Sequence, residues 1–298
     1  MTDLSADPPN IASPFGGTAR HLQTVSSNHI AALYRKKCGA DVSKCFRGLA
    51  CVHLYECERT GYRFWRPVTI AGDEVLYHLL SAAWPHYYRT ERWEYPIARK
   101  AVSGADRLLE IGCGRGFFLR SLEGVVDYAL GLEFNAEAIQ KKVTRFAIIE
   151  QAVEMLAQER NNEFQAICAF QVLEHIAEPG VFLRAAVALL APGGRMILST
   201  PNRECLPLMN QEDAFDLPPH HMGHFSVSTF QNIAAELGLQ VLKIHSEPRN
   251  HAREAVSDDT KHKLIYKTAA LIATSAYNAA YRICHEPGFN LVAVLQKR

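Results

Sequence analysis

The 298-residue chain has almost no excess charge: 32 Lys and Arg stand against 31 Asp and Glu, a formal net of +1 at pH 7. So even a balance gives no pull toward a phosphate backbone or an anionic bilayer, so no nucleic-acid partner is expected. The basic pairs Lys36-Lys37, Arg99-Lys100 and Lys141-Lys142 lie far apart in sequence and read as solvated faces. Long apolar runs are missing too. The longest apolar-leaning stretch, residues 268–283, is interrupted by Thr274, Ser275, Asn278 and Arg282, which argues against a membrane span. The first 17 residues have no basic head followed by an apolar run, so no secretory leader is expected and the protein reads as cytoplasmic. Closely spaced cysteine pairs are also absent. Cys38, Cys45, Cys51 and Cys57 crowd one region, yet zinc sites take thiolates in pairs about two to four residues apart, because one tight turn must aim both sulfurs at one ion. These four read as small buried hydrophobes. Eight cysteines, unevenly spread, do not make a disulfide scaffold.

What is present is the patterning of a large α/β chain. Arg107-Leu-Leu-Glu110-Ile111 reads as a buried parallel strand, and glycine follows at every second position: Gly112, Gly114 and Gly116. Phe117 to Leu122 then has helical spacing. Strand, glycine turn and helix form the opening of a mononucleotide-binding half. The dinucleotide fingerprint would need glycine at position 117, where Phe117 stands. A second strand, Tyr128 to Glu133, ends in a carboxylate about twenty residues on, the place of a group that accepts ribose hydroxyls.

Downstream the alternation continues. Helices are expected over 136–145, capped by Asn135, and over 153–159, 181–190 and 228–237. Strands are expected over 146–149, 164–170, 195–200, 240–245 and 290–296. Together these predict an α/β fold, a doubly wound, Rossmann-like sheet of seven strands. Residues 1–25 read as a flexible tail, 26–90 as an N-terminal accessory or cap region, and 91–298 as the sheet domain. A helical insertion over 251–285 would serve as a packing, lid or homodimer surface. Within the accessory region, Leu54-Cys57 and Tyr62-Trp65 predict a hairpin, and the aromatic-rich stretch 73–100 predicts helices that mostly pack onto the following domain, with Tyr87 and Tyr88 the first candidates to line a substrate pocket.

Several segments in this order resemble a known family. Glu110-x-Gly112-x-Gly114-x-Gly116, Glu133, Phe170-Gln171-Val172-Leu173-Glu174-His175, and Leu190-Ala-Pro-Gly-Gly194 before Ile197-Leu-Ser-Thr-Pro-Asn202 look like a class I S-adenosylmethionine-dependent methyltransferase of the small-molecule type. The resemblance runs from about Arg92 to the end, excluding the insertion. It implies that Glu110 and the backbone of Gly112, Gly114 and Gly116 hold the methionine portion of the cofactor. Glu133 would bind the ribose and Phe134 would pack on adenine, with Gln151 and Ala152 at the adenine edge. Phe170 and Gln171 would face the sulfonium and amino group. Some relatives bind Mg²⁺ through Glu-x-x-Glu-His at this point, but Gln171 replaces the first carboxylate here, so no metal is expected. The N-terminal cysteines resemble a zinc ribbon that has lost its pairs.

The chemistry asks for an acceptor aligned with the S–CH₃ bond and, for a hydroxyl acceptor, a general base. Leu217-Pro-Pro-His220-His221-Met-Gly-His224 supplies candidates: His221 first, His224 second, and His220 as a structural hydrogen-bonder. The expected activity is methyl transfer to a small-molecule hydroxyl, of a sugar, nucleotide-sugar or secondary metabolite. The alternatives are N- or C-methylation of a small molecule, a protein or nucleic-acid substrate, or a non-catalytic cofactor-binding partner subunit.

Overall fold

The computed structural model describes residues 8–83, 89–208, 214–247 and 288–298. Taken in chain order, β1 (Ile11–Ala12) and β2 (Thr18–Ser26) precede α1 (Ser27–Cys38), followed by β3 (Cys51–Cys57) and β4 (Arg63–Arg66). Helices α2 (Glu74–Ala83) and α3 (Glu94–Ala101) lead into β5 (Arg107–Ile111), α4 (Phe117–Arg120), β6 (Tyr128–Leu132), α5 (Ala136–Gln140), β7 (Ala147–Ile149), α6 (Val153–Glu159) and β8 (Phe164–Phe170). The chain then forms α7 (Pro179–Leu189), β9 (Leu190–Pro201), β10 (Gly223–His224), α8 (Val227–Glu236), β11 (Leu239–Ser246) and β12 (Asn290–Lys297).

Seven strands form the main sheet in the order β11-β12-β9-β8-β5-β6-β7. Neighbours from β9 to β7 run parallel, while β12 lies antiparallel to both β9 and β11. Leu108, Leu109, Ile167, Cys168, Ile197 and Leu198 are buried, as strands covered on both faces require. Because the chain order reverses between β5 and β8, the carboxyl ends of the central strands open a cleft there. The seven-stranded α/β sheet matches the expectation from sequence.

Three local expectations change. Residues 11–12 and 18–26 are not a loose tail: β2 pairs with β3 from Ala19↔Cys57 to Ser26↔Cys51, and Phe15 is buried edge-on against Tyr62 at 5.3 Å. The helix expected to reach Arg145 stops at Gln140, because the Val143 N–H turns back to the Arg115 carbonyl and Thr144 donates to Glu123. The strand after α7 begins at Leu190 and absorbs Pro192-Gly193-Gly194 as a register shift between Phe164↔Leu190 and Ala166↔Arg195. The insertion expected over 251–285 lies outside the described residues.

The N-terminal strands form a second, antiparallel sheet, β1-β2-β3-β4-β10. Its last member comes from the far side of the chain. Gly223 pairs with Phe64 and His224 with Arg63, so the histidine loop after β9 is an edge strand of the N-terminal sheet. A side chain at Gly223 would place its Cβ 1.8 Å from the Tyr62 hydroxyl, so only glycine allows this approach. Phe15, Tyr62 and Phe64 share one core with Leu109, Phe225 and Phe230. Of the four cysteines expected as small buried hydrophobes, Cys57 is buried, while Cys38, Cys45 and Cys51 are half-buried.

Candidate functional site

The site begins where β5 ends. Gly112, Gly114 and Gly116 all take left-handed φ values, +69°, +55° and +78°, which side chains resist. The loop is tied to the neighbouring strand through Gly112 N–H and Cys113 N–H, which donate to the Leu132 carbonyl at 2.8 and 3.1 Å. At the end of β6 the Glu133 carboxylate accepts three backbone N–H groups: Gly114 at 2.7 Å, Phe134 at 2.9 Å and Asn135 at 2.8 Å. A carboxylate has about four lone-pair sites, so acceptor capacity remains for a ligand hydroxyl. Beside it the Phe134 ring is 58% exposed, an aromatic surface without a cover. Glu133 N–H bonds the Ile149 carbonyl at 3.1 Å, which brings Gln151 and Ala152, just past β7, to the same edge. Ala152 is the N-cap residue of α6, and the Gln151 amide donates to Glu159 at 2.9 Å.

Glu110 lies on β5, just before the glycine turn. It is 3% exposed, and its Oε2 is buried without a hydrogen-bond partner. Burial pushes its carboxyl up to about 8, against the opposing pull of the Arg92 charge and the Leu119 N–H. Phe170 lies deeper than its expected place facing a ligand, its ring packed 4.9 Å from Phe118 and 5.4 Å from Tyr95. Gln171 follows with φ +55°. Its backbone N–H bonds the Ser199 carbonyl at 3.0 Å, and its amide reaches Ser199 Oγ at 3.3 Å and Glu94 Oε1 at 3.5 Å. Burial raises the Glu94 carboxyl. Glu94 and Ser199 escaped the sequence reading, since nothing marks a Glu at the start of an aromatic helix or a Ser within an apolar strand.

The histidine loop arches to the same edge. Met222 N–H bonds the Glu174 carbonyl at 2.6 Å, and the loop is held from the other side by Tyr34, whose hydroxyl donates to the Leu217 carbonyl at 2.9 Å. Asp216 is the hub. His221 Nδ1 lies 3.2 Å from Asp216 Oδ1, and His224 Nε2 lies 3.1 Å from the Asp216 carbonyl and 3.4 Å from Oδ1. Burial opposes the Asp216 charge, but the His224 cation and the two imidazole hydrogen bonds outweigh it and hold the carboxyl below its usual range. His224 shows the converse: burial disfavours its cation, and Asp216 raises its pKa nevertheless. Asp216 thus ties His221 and His224 to one carboxylate. His220 Nδ1 lies 3.0 Å from the Phe215 carbonyl. Asp216 was missed from sequence, where a carboxylate five residues before a histidine is unremarkable. Tyr87 and Tyr88 lie outside the described residues; of the same aromatic stretch, Tyr77 packs its ring 5.5 Å from His175 and 6.1 Å from His220.

The model of a methyltransferase domain matches residues 84–244, more than half of the chain. The chain belongs to the class I S-adenosylmethionine-dependent methyltransferases. Among curated relatives, this methyltransferase is 35% identical over 127 residues to the ubiquinone biosynthesis O-methyltransferase of Xanthomonas axonopodis pv. citri, covering 40% of this chain and 52% of that protein. The Xanthomonas euvesicatoria pv. vesicatoria protein of the same name is 33% identical over the same length. The chain thus spans about half the length of the curated relatives it matches. In fold it resembles an S-adenosylmethionine-dependent methyltransferase of Archaeoglobus fulgidus, with a TM-score of 0.51 and 18% identity over 68% of this chain and 92% of that one. A Pyrococcus horikoshii OT3 protein gives a TM-score of 0.50 at 14% identity over 73% of this chain and 98% of that one. Among the described residues no helix is long and apolar enough to cross a membrane.

S-adenosylmethionine is the cofactor, and the residues present fit it. The buried, unpartnered Glu110 Oε2 suits the methionine ammonium, the glycine turn leaves backbone open to the amino-acid portion, and the exposed Phe134 ring beside Glu133 offers adenine a surface. A hard cation fits less well. His175, His220 and His221 bring ring nitrogens within 4.8 Å of one another, whereas Gln171 is bound to Glu94 and Ser199. Such a donor set is rich in nitrogen, and Mg²⁺ prefers oxygen.

Proposed function

We propose that this methyltransferase methylates a hydroxyl group of a small molecule, with His221 as general base. The observation that carries the reading is the His221 Nδ1 to Asp216 Oδ1 pair at 3.2 Å, on a loop pinned to the carboxyl edge of the sheet. When bound, the cofactor supplies an electrophilic methyl carbon on a sulfonium. Asp216 accepts the Nδ1–H of His221, fixes the tautomer and leaves the Nε2 lone pair to take the hydroxyl proton as the new O–C bond forms. His224 neutralises Asp216, so the carboxylate stays ionised while it orients the base. Glu110, the glycine turn and Glu133 hold the cofactor in line with the acceptor, which is most of what a methyl transfer requires. The curated relatives are named as O-methyltransferases, which supports an oxygen acceptor. The near-neutral chain favours an uncharged or small acceptor over nucleic acid.

The test is a panel of sugars, nucleotide-sugars and phenols incubated with the full chain and radiolabelled S-adenosylmethionine. Label passing to a hydroxyl compound in the wild type, and at least about a hundredfold slower in His221→Ala, supports the reading. Label passing only to amines, or equally fast in the variant, overturns it.

A further inference from the structure

Among the described residues the fully buried acids are Glu94, Glu110 and Glu174, at 3%, 3% and 1% exposure, and all three lie toward the carboxyl edge of the main sheet. A carboxylate taken out of water needs a paired cation or gives up its charge. Among the described residues no Lys or Arg forms an ion pair with any of the three. Glu174 meets only the His175 ring, at 3.9 Å, whose cation is disfavoured by burial. The Arg92 charge acts on all three from a distance. One guanidinium against three carboxyls leaves this edge short of positive charge.

Glu94 holds the middle place. It opens α3, and its side chain reaches the ends of β8 and β9, where its Oε1 accepts from Ser199 Oγ at 3.3 Å and from the Gln171 amide at 3.5 Å. It also accepts its own backbone N–H. These partners are neutral, and the two side-chain bonds are long, so they hold the carboxyl in place without balancing its charge. Strands β9, β8 and β5 stand side by side, which sets Glu110 of β5 on one flank of Glu94. The turn after β8, which carries Glu174 and His175 toward the histidine loop, stands on the other. Glu174 is raised by the charge of Glu94, as Tyr95 is by those of Glu110 and Glu94. Glu94 itself is raised by burial, against the opposing pull of Arg92 and, more weakly, of Arg89. Glu94 therefore lies between the carboxyl that suits the methionine ammonium and the loop that carries His221.

The cofactor has two positive centres, an ammonium and a sulfonium, and Glu110 suits the first. We propose that Glu94 serves the second: its carboxylate favours the sulfonium of S-adenosylmethionine over the uncharged sulfur of S-adenosylhomocysteine, which makes Glu94 the residue that tells the methyl-bearing form from the spent one. This rests on the cofactor alone, not on the acceptor or on His221 as base. When the S–CH₃ bond breaks, the methyl passes to the acceptor and the bonding electron pair stays on sulfur. The positive centre is then gone, and with it the attraction to Glu94. A cation beside the carboxyl favours its ionised form, and the donors Ser199 and Gln171 stabilise that form where it stands.

The experiment is calorimetric titration of the full chain with S-adenosylmethionine and with S-adenosylhomocysteine, in the absence of any acceptor, in wild type, Glu94→Gln and Glu94→Asp. Glu94→Gln keeps an oxygen for Ser199 and loses the charge. It should weaken S-adenosylmethionine binding by at least about tenfold, the usual effect of one opposite charge nearby, and S-adenosylhomocysteine binding by less than about threefold. Retained S-adenosylhomocysteine binding also shows that the variant folds. Glu94→Asp, which keeps the charge, should fall between wild type and Glu94→Gln in its preference for the sulfonium form. Equal weakening of both ligands in Glu94→Gln overturns the assignment, since Glu94 would then only shape the edge, and so do unchanged affinities for both. If Glu94→Gln does not fold, the wild type decides. Both ligands carry the ammonium, so the effect of Glu110 cancels in the ratio of their affinities. That ratio should move toward S-adenosylmethionine as pH rises from about 5 to about 9 and the carboxyl ionises. A ratio that stays flat overturns the proposal.

Discussion

The Glu133 carboxylate accepts the Gly114 N–H at 2.7 Å, so the end of one strand clasps the glycine turn that grows from its neighbour. The Glu133 carboxylate and the glycine turn are therefore one structural unit. Removing the clasp loosens both. Glu133→Ala should weaken S-adenosylhomocysteine binding by more than the loss of a ribose contact alone, on the order of a hundredfold, since hydrogen bonds to a charged group contribute about 1.5–3 kcal/mol each. Calorimetric titration checks this. Glu133→Gln, which keeps one acceptor oxygen, should fall between the two.

Glu110 predicts a pH dependence with a definite sign. Its carboxyl stands at about 8 in the folded chain against an ordinary 4.5, so between these values the folded state holds a proton that the unfolded state has lost. Its contribution to stability is full below about pH 4.5 and is lost as pH rises through 8. Thermal unfolding of the cofactor-free protein should show a midpoint that falls over this window, and Glu110→Gln should flatten the fall.

The same group should report on the cofactor. A methionine ammonium beside Glu110 favours its ionised form, so binding near neutral pH should expel a proton, and affinity should rise with pH up to about 8. Calorimetry of S-adenosylhomocysteine in buffers of different ionisation enthalpy measures the proton count. A count near zero in the wild type would place the ammonium elsewhere.

Asp216→Asn should separate binding from chemistry. The amide cannot hold the His221 tautomer as the carboxylate does and removes the charge that raises the pKa of His224. Turnover should drop by about 10²–10⁴-fold, the usual worth of a positioned base, with cofactor affinity unchanged. The pH–rate profile should also shift, which simple loosening of the loop would not produce.

Gly223→Ala probes the joint between the two sheets. The added Cβ would lie 1.8 Å from the Tyr62 hydroxyl, and overpacking of this kind costs about 1–3 kcal/mol. Because Gly223 and His224 form β10, the strain falls on the histidine loop. The expected outcome is a lower melting temperature and slower turnover, with S-adenosylhomocysteine binding kept.

Much of this was legible in the sequence because it is local. The run Leu108-Leu109 breaking into Gly112 announces strand and turn, and the place of Glu133 just after β6 is readable from its distance along the chain. What was not legible depends on partners distant in the chain. β2 reads Thr18-Ala-Arg-His-Leu-Gln-Thr-Val-Ser26, with Ala19 its one fully buried residue, so it has no clear period-two signal and is a strand only because β3 pairs with it. β10 is two residues long and has no periodicity to read. For this reason the N-terminal region looked like a separate cap, whereas its sheet carries His224 and anchors the loop of His221. Asp216, Glu94 and Ser199 lack local marks altogether, since their importance comes from which histidine or glutamine they meet.

The cofactor-binding edge and the proposed base His221 are distinct parts that act together. Single-turnover methyl transfer from radiolabelled S-adenosylmethionine to the best hydroxyl acceptor, at saturating cofactor, compares wild type with His221→Ala most directly. Unchanged S-adenosylhomocysteine affinity and a transfer step slower by about 10²–10⁴-fold are expected in the variant. Equal transfer rates in the two proteins would contradict it.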